Sequence, residues 1–149
     1  MTNKLWGGRF GKKSDELMER FSSSLDFDCR LYRADIREGI THARVMEKRG
    51  YLTPEEAGTI ISAFEEIRDE IEAGKLDPRA GNYEDIHSLI IDQLIQKVGP
   101  AGTKIHAGRS RNDLIALDTR LYLREEVKTI SGLIRDLQKS LVIKGRAYE

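Results

Sequence analysis

The stretch from residue 111 to the C-terminus constrains the fold most. Its apolar positions Leu114, Leu117 and Leu121, then Val127, Ile130, Ile134, Leu137 and Leu141, step by three and four with one break between Leu121 and Val127. That spacing marks one side of a continuous helix. Roughly 35 residues make a helix of about 50 Å, far longer than the average in a compact domain, so its apolar stripe calls for partner helices in a bundle. The chain stops at Ala147-Tyr148-Glu149 without a capping glycine or proline, and the expectation is a chain cut from something larger.

The remainder is also helical in pattern. Thr53-Pro54-Glu55-Glu56 opens a helix with a capping box, and Pro54 suits its first turn because the missing N–H would be unpaired there anyway. Ala57, Ile60, Ile61, Phe64, Ile67 and Ile71 form its core face, with Gly74 past its end. Upstream, 28–48 is expected as one helix with Leu31, Ile36, Ile40, Ala43 and Met46 inward and Gly50 as its stop, preceded by a short helix over 15–21. The 5–13 segment, with Gly7, Gly8 and Gly11, reads as irregular. After a turn at Asp77-Pro78-Arg79-Ala80-Gly81-Asn82, a helix over 84–98 carries a broad apolar arc and ends at Gly99-Pro100. The fold class is therefore all-α: a small helical domain over 1–110, then over 111–149 the first part of a long bundle helix.

Composition narrows the function. The 149 residues are 39% apolar and 34% charged, a soluble globular balance. Lys and Arg number 25 and Asp and Glu 25, so no net field draws the chain to nucleic acid or to an anionic membrane. Lys104, Arg109 and Arg111 also lack the interleaved aromatics of a nucleic-acid face. No apolar run approaches the length of a membrane span, and the N-terminus has no apolar leader. The single cysteine, Cys29, cannot form an internal disulfide, which fits a reducing compartment. A cytoplasmic protein is expected, without membrane or nucleic-acid partners. Metal-ligand spacing, nucleotide-binding glycines and a Ser-His-Asp arrangement are lacking, so neither metal nor cofactor is expected.

The stretch Lys104-Ile105-His106-Ala107-Gly108-Arg109-Ser110-Arg111-Asn112-Asp113 runs straight into the start of the long helix. Free backbone N–H groups, the positive end of the helix dipole, the forked donors of Arg109 and Arg111 and the polar groups of Ser110 and Asn112 could converge there on a carboxylate or phosphate. The same residues would equally make a solvated loop whose arginines pair with surface acids and whose Asn112 or Asp113 caps the helix. In Glu84-Asp85-Ile86-His87, Asp85 and His87 stand two apart at a helix start, on different sides of it. Their plain reading is an acid favouring the dipole and a surface histidine. Ser22-Ser23-Ser24 reads as a cap or turn, and His42 as a packing or surface histidine.

Together, Leu5-Trp6-Gly7-Gly8-Arg9-Phe10, Ser24-Leu25 with Phe27-Asp28, Asp35-Ile36, Glu84 through His87 and His106 through Asp113 resemble argininosuccinate lyase, a member of the fumarase and aspartase superfamily. The resemblance spans the chain in order. It implies a β-elimination that splits argininosuccinate into arginine and fumarate, in arginine biosynthesis, by homotetramers whose active sites combine segments from three subunits. On that resemblance Ser24, Ser110, Arg111 and Asn112 match substrate-contacting positions, Arg109 supports the loop, and Asp85 and His87 orient or bind substrate. The family's catalytic serine loop and its Thr-His segment fall beyond Glu149, so no catalytic residue is assigned in this chain and the chain alone is expected to be inactive.

Four features depart from the family pattern: Glu38-Gly39 where Gly-Ser is frequent, Ile91 where glutamate follows the Asp-Ile-His segment, Ala107 in place of threonine, and Leu114 in place of glutamine. They leave the substrate loop intact and alter the polar network around it. The competing expectation is a helical scaffold or assembly module without catalysis, whose basic loop is incidental or holds a small carboxylate.

Overall fold

The computed structural model describes residues 15–81 and 83–148, and every regular element among them is helical. The all-α class holds. The Leu5 to Phe10 motif and the Asn82 end of the expected turn lie outside the described residues.

Helix α1 (Glu16–Ser22) starts at Asp15, whose carboxylate accepts from the Leu17 amide at 2.8 Å. The expected helix over 28–48 is divided: α2 (Leu25–Asp28), a 3-10 turn (Cys29–Leu31) and α3 (Tyr32–Lys48). Asp28 is the reason for a separate first turn, since its carboxylate accepts from Ser24 Oγ at 2.7 Å and from the Ile86 amide at 3.1 Å. The second bond ties α2 to a segment 58 residues away.

Helix α4 (Pro54–Glu72) begins as expected. Thr53 Oγ1 accepts from the Glu56 amide at 3.1 Å while Glu56 Oε2 accepts from the Thr53 amide at 3.0 Å. Its Ala57, Ile60, Phe64 and Ile67 are buried, with Ile61 and Ile71 packed at the margin. Phe64 faces Gly39 of α3 so closely that a Cβ on Gly39 would meet its ring at 2.5 Å. The absent side chain sets how near α3 and α4 approach.

Helix α5 (Ile86–Val98) runs through the centre of the core, with Leu89, Ile90, Ile91 and Leu94 almost wholly buried. Gly99 ends it with φ of +66°, yet the chain does not leave as a loop. A 3-10 helix (Gly99–His106) follows, opened by Pro100, whose fixed φ suits a first helical turn, and anchored by buried Ile105.

Helix α6 (Arg111–Ala147) spans 37 residues. It packs on α3 and on the Cys29–Leu31 turn, and its buried residues, Leu114 and Asp118, lie in its first turns. The expected inward residue Leu117 is 41% exposed, and Asp118 is buried in its stead at 3%. Asp118 follows Leu114 by four positions, so it occupies the same face of the helix. Farther along, Val127, Ile130, Ile134, Leu137 and Leu141 are all exposed. No helix among the described residues is long and apolar enough to cross a membrane.

Candidate functional site

Two helix N-termini meet at Asp85. As the N-cap of α5 it accepts from the Ser88 amide at 2.8 Å, and its other oxygen receives an ion pair from Arg111 in the first turn of α6. Arg111 also donates to Ser88 Oγ at 3.0 Å. Burial lowers the Arg111 pKa, against the pull of nearby Glu84, Asp35 and Asp28.

His87 is buried, contrary to its expected place on the surface. Because α5 is packed on nearly every side, position 87 points inward to α3, where Nδ1 bonds Asp35 Oδ2 at 2.7 Å. Its ring meets that of His106 edge to face, with centroids 6.1 Å apart. Burial, then the charges of His87 and Arg109, hold His106 below the ordinary histidine range.

Arg109 leaves the loop for the interior and pairs with Glu38 of α3; the two side chains are 8% and 10% exposed. Gly108, with φ of +74°, provides the left-handed turn that this reversal requires. From α3, one turn beyond Glu38, His42 Nε2 donates to the Ala107 carbonyl at 3.1 Å, so that histidine clamps the loop. Burial, followed by the Arg109 charge, lowers the His42 pKa, and the neutral ring still donates.

Ser110, rather than Asn112 or Asp113, caps α6: its Oγ accepts from the Asn112 amide at 3.3 Å. The reason is backbone geometry, since Ser110 is the last extended residue while Asn112 and Asp113 already lie within the helix. Both remain exposed.

A cavity of about 670 Å³ lies between these elements, lined by Glu84, His87, His106, Arg109, Arg111 and Leu114 together with Ile95 and Thr103. Of the residues expected from sequence, His87, Arg109 and Arg111 line it and Asp85 holds Arg111 in place. Ser24 stands behind it, its amide donating to the Glu84 carbonyl at 2.8 Å and its hydroxyl to Asp28. Ser110 and Asn112 flank it from the exposed start of α6. The arginine forks are thus partly engaged by acids, and those acids are buried ones, not the surface partners of the plain reading. Yet Arg109 Nε and Nη2 and His106 Nε2 are buried without a partner among the described residues. Arg111, its side chain 31% exposed, is the guanidinium that this wall presents to an anionic ligand.

Sequence inspection missed the acids beneath this wall. Asp35, Glu38 and Asp118 are all buried. Desolvation above all, then the charges of Asp35 and Glu38, push the Asp118 carboxyl up to about 8. A signal for it existed: an aspartate four residues after Leu114, on the apolar side of a helix, is costly unless something receives it. The departures from the family pattern fall into place around the same wall. Glu38 is the Arg109 partner, Ile91 fills the core, and Leu114 lines the cavity.

A family model described as Lyase, of the helical fumarase and aspartase fold, matches residues 8–149. The chain belongs to that lyase family. It is 50% identical over 142 residues to an argininosuccinate lyase of Pelotomaculum thermopropionicum, covering 93% of this chain and 30% of the relative. Argininosuccinate lyases of Geobacter sulfurreducens and Methylococcus capsulatus are 47% identical over 144 residues and 50% identical over 139 residues, covering 97% and 93% of this chain and 31% and 30% of those relatives. The chain spans about 30% of the length of the curated relatives it matches.

Proposed function

We propose that this chain is the N-terminal part of an argininosuccinate lyase that cleaves argininosuccinate to arginine and fumarate by β-elimination, as a cytoplasmic homotetramer serving arginine biosynthesis. The observation that carries this reading is the cavity in which Arg109, Arg111, His87 and His106, from separate elements, face the same space. Removal of a proton next to a carboxylate creates a dianionic aci-carboxylate. Donors fixed before the reaction stabilise such charge where it develops, at no reorganisation cost. Arg111, held by Asp85, and Arg109, held by Glu38, are fixed donors of that kind. Ser24, Ser110 and Asn112 are assigned to the substrate beside them, with Asp85 and His87 orienting it.

In this reading the groups that transfer the protons belong to the serine loop and the Thr-His segment of the complete enzyme. Residues 1–110 form a helical domain, and 111–149 begin the central bundle. The test is fumarate release, followed by absorbance, after joining the chain to the C-terminal two thirds of the Pelotomaculum thermopropionicum relative. Turnover by the joined protein and none by the chain alone is expected. Efficient turnover by the chain alone would overturn the division of roles, and none by a folded joined protein would overturn the lyase assignment.

A second reading, a non-catalytic helical assembly module, draws on the exposed stripe of α6. It expects self-association or bundling with no fumarate from either protein.

A further inference from the structure

Asp118 is the one charged residue that α6 buries, and it does so against a cluster it does not neutralise. Asp35 of α3 is within hydrogen-bonding reach of it, and the charges of Glu38 on α3 and His87 on α5 act on it. Glu38 is already paired with Arg109, and Asp35 already accepts from His87 Nδ1 at 2.7 Å. Asp118 Oδ1 has no partner among the described residues. Two carboxyl groups in such contact form a hydrogen bond only when one of them carries a proton. Leu114 and Asp118, four residues apart, seat the start of α6 on this cluster, so the proton lies directly beneath the cavity wall.

We propose that Asp118 is a positioning residue: its carboxyl group donates to Asp35, which keeps Asp35 on His87 Nδ1 and leaves His87 Nε2 as the ring nitrogen available to a ligand in the cavity. Asp35 is then a double acceptor, taking one hydrogen bond from α5 and one from α6. A histidine whose Nδ1 is so held has a fixed tautomer and a fixed ring plane, both of which a substrate-orienting imidazole needs. Burial and the two neighbouring acids supply the cause for the retained proton, since both disfavour the charged form. The consequence for turnover rests on the lyase reading. The arrangement itself does not, and its test reads no activity.

The experiment is nitrogen-15 spectroscopy of the histidine side chains in this chain at neutral pH, in the wild type and in Asp118→Asn, Asp118→Ala and Asp118→Leu. Asparagine keeps a donor and carries no charge, so Asp118→Asn is expected to retain the His87 tautomer with its proton on Nδ1. Asp118→Ala and Asp118→Leu are expected to lose its predominance while the His42 signals stay in place. Wild-type His87 signals in a folded Asp118→Ala or Asp118→Leu would overturn the proposal, because Asp118 would then only fill space. If neither variant folds, infrared spectra of the wild type decide. A band from a buried protonated carboxyl, missing in Asp118→Asn and fading as pH rises through about 8, is expected. Its absence from the wild type would overturn the proposal as well.

Discussion

Arg109 and Glu38, seventy-one positions apart, form an ion pair in which both side chains are about nine-tenths buried. The pair fixes the loop before α6 to the middle of α3. Burying two charges costs several kcal/mol each, and their attraction offsets this only while both are present.

Loss of one partner is therefore worse than loss of both. Arg109→Met or Glu38→Gln should each lower stability by about 3–5 kcal/mol, since each strands a buried polar or charged group. The double variant Arg109→Met with Glu38→Leu should recover a large part of that loss. Denaturant unfolding of the three proteins provides the measurement, and additive losses would mean that the pair is not coupled.

The contribution of Asp118 to stability should fall as pH rises across the neutral range. Its folded-state pKa, about 8, lies above the unfolded value near 3.8. Between those two values the native state holds a proton that the unfolded chain has released. The stabilisation is complete below the unfolded pKa and is lost as pH climbs through the folded one. The slope should stay below the one-proton limit of about 1.4 kcal/mol per pH unit, and Asp118→Asn should remove it. Unfolding curves collected from acid to alkaline pH would falsify this if wild type and variant ran parallel.

At the start of α6 the two polar neighbours should behave differently. Ser110→Ala should cost about 1 kcal/mol through loss of the cap, whereas Asn112→Ala should change stability by no more than about 0.5 kcal/mol. In the joined full-length protein Asn112→Ala should nonetheless reduce turnover by about 10²-fold, the loss expected for one fixed donor to developing charge. Thermal midpoint and turnover measured on the same samples separate the two effects. A large drop in midpoint with normal turnover would return Asn112 to a structural role. Arg111→Ala should damage both quantities, since it also leaves Asp85 unpaired.

The close approach of α3 to α4 should be sensitive to a single methyl group. Gly39→Ala places a Cβ against the Phe64 ring, and that ring is 1% exposed and has no room to retreat. A loss of about 1–3 kcal/mol is expected despite the better helix propensity of alanine. A more stable Gly39→Ala protein in a thermal melt would show that the helices can separate at little cost.

The exposed stripe on α6 should drive association. Ile130→Glu with Leu137→Glu should shift the chain toward monomer in light scattering, because both positions are more than half exposed in the single chain. A wild-type chain that stays monomeric at high concentration would contradict this.

Local chemistry made much of this protein legible in one dimension. The capping box at Thr53, the 3.6-residue spacing of Ile60, Phe64 and Ile67, and the length of α6 depend on neighbours within a turn or two, so the sequence alone determined them. The run from His106 to Asp113 likewise announced a basic loop entering a helix. Where its side chains went was a matter of tertiary structure. Arg109 turned inward because Glu38 lies beneath it, His87 became buried because α5 is packed around, and Leu117 yielded the interior to Asp118 because Asp35 and His87 stand at that height of α3 and α5. A buried charge is tolerable only beside the groups that receive it, and those groups lie dozens of residues away, where periodicity carries no information about them.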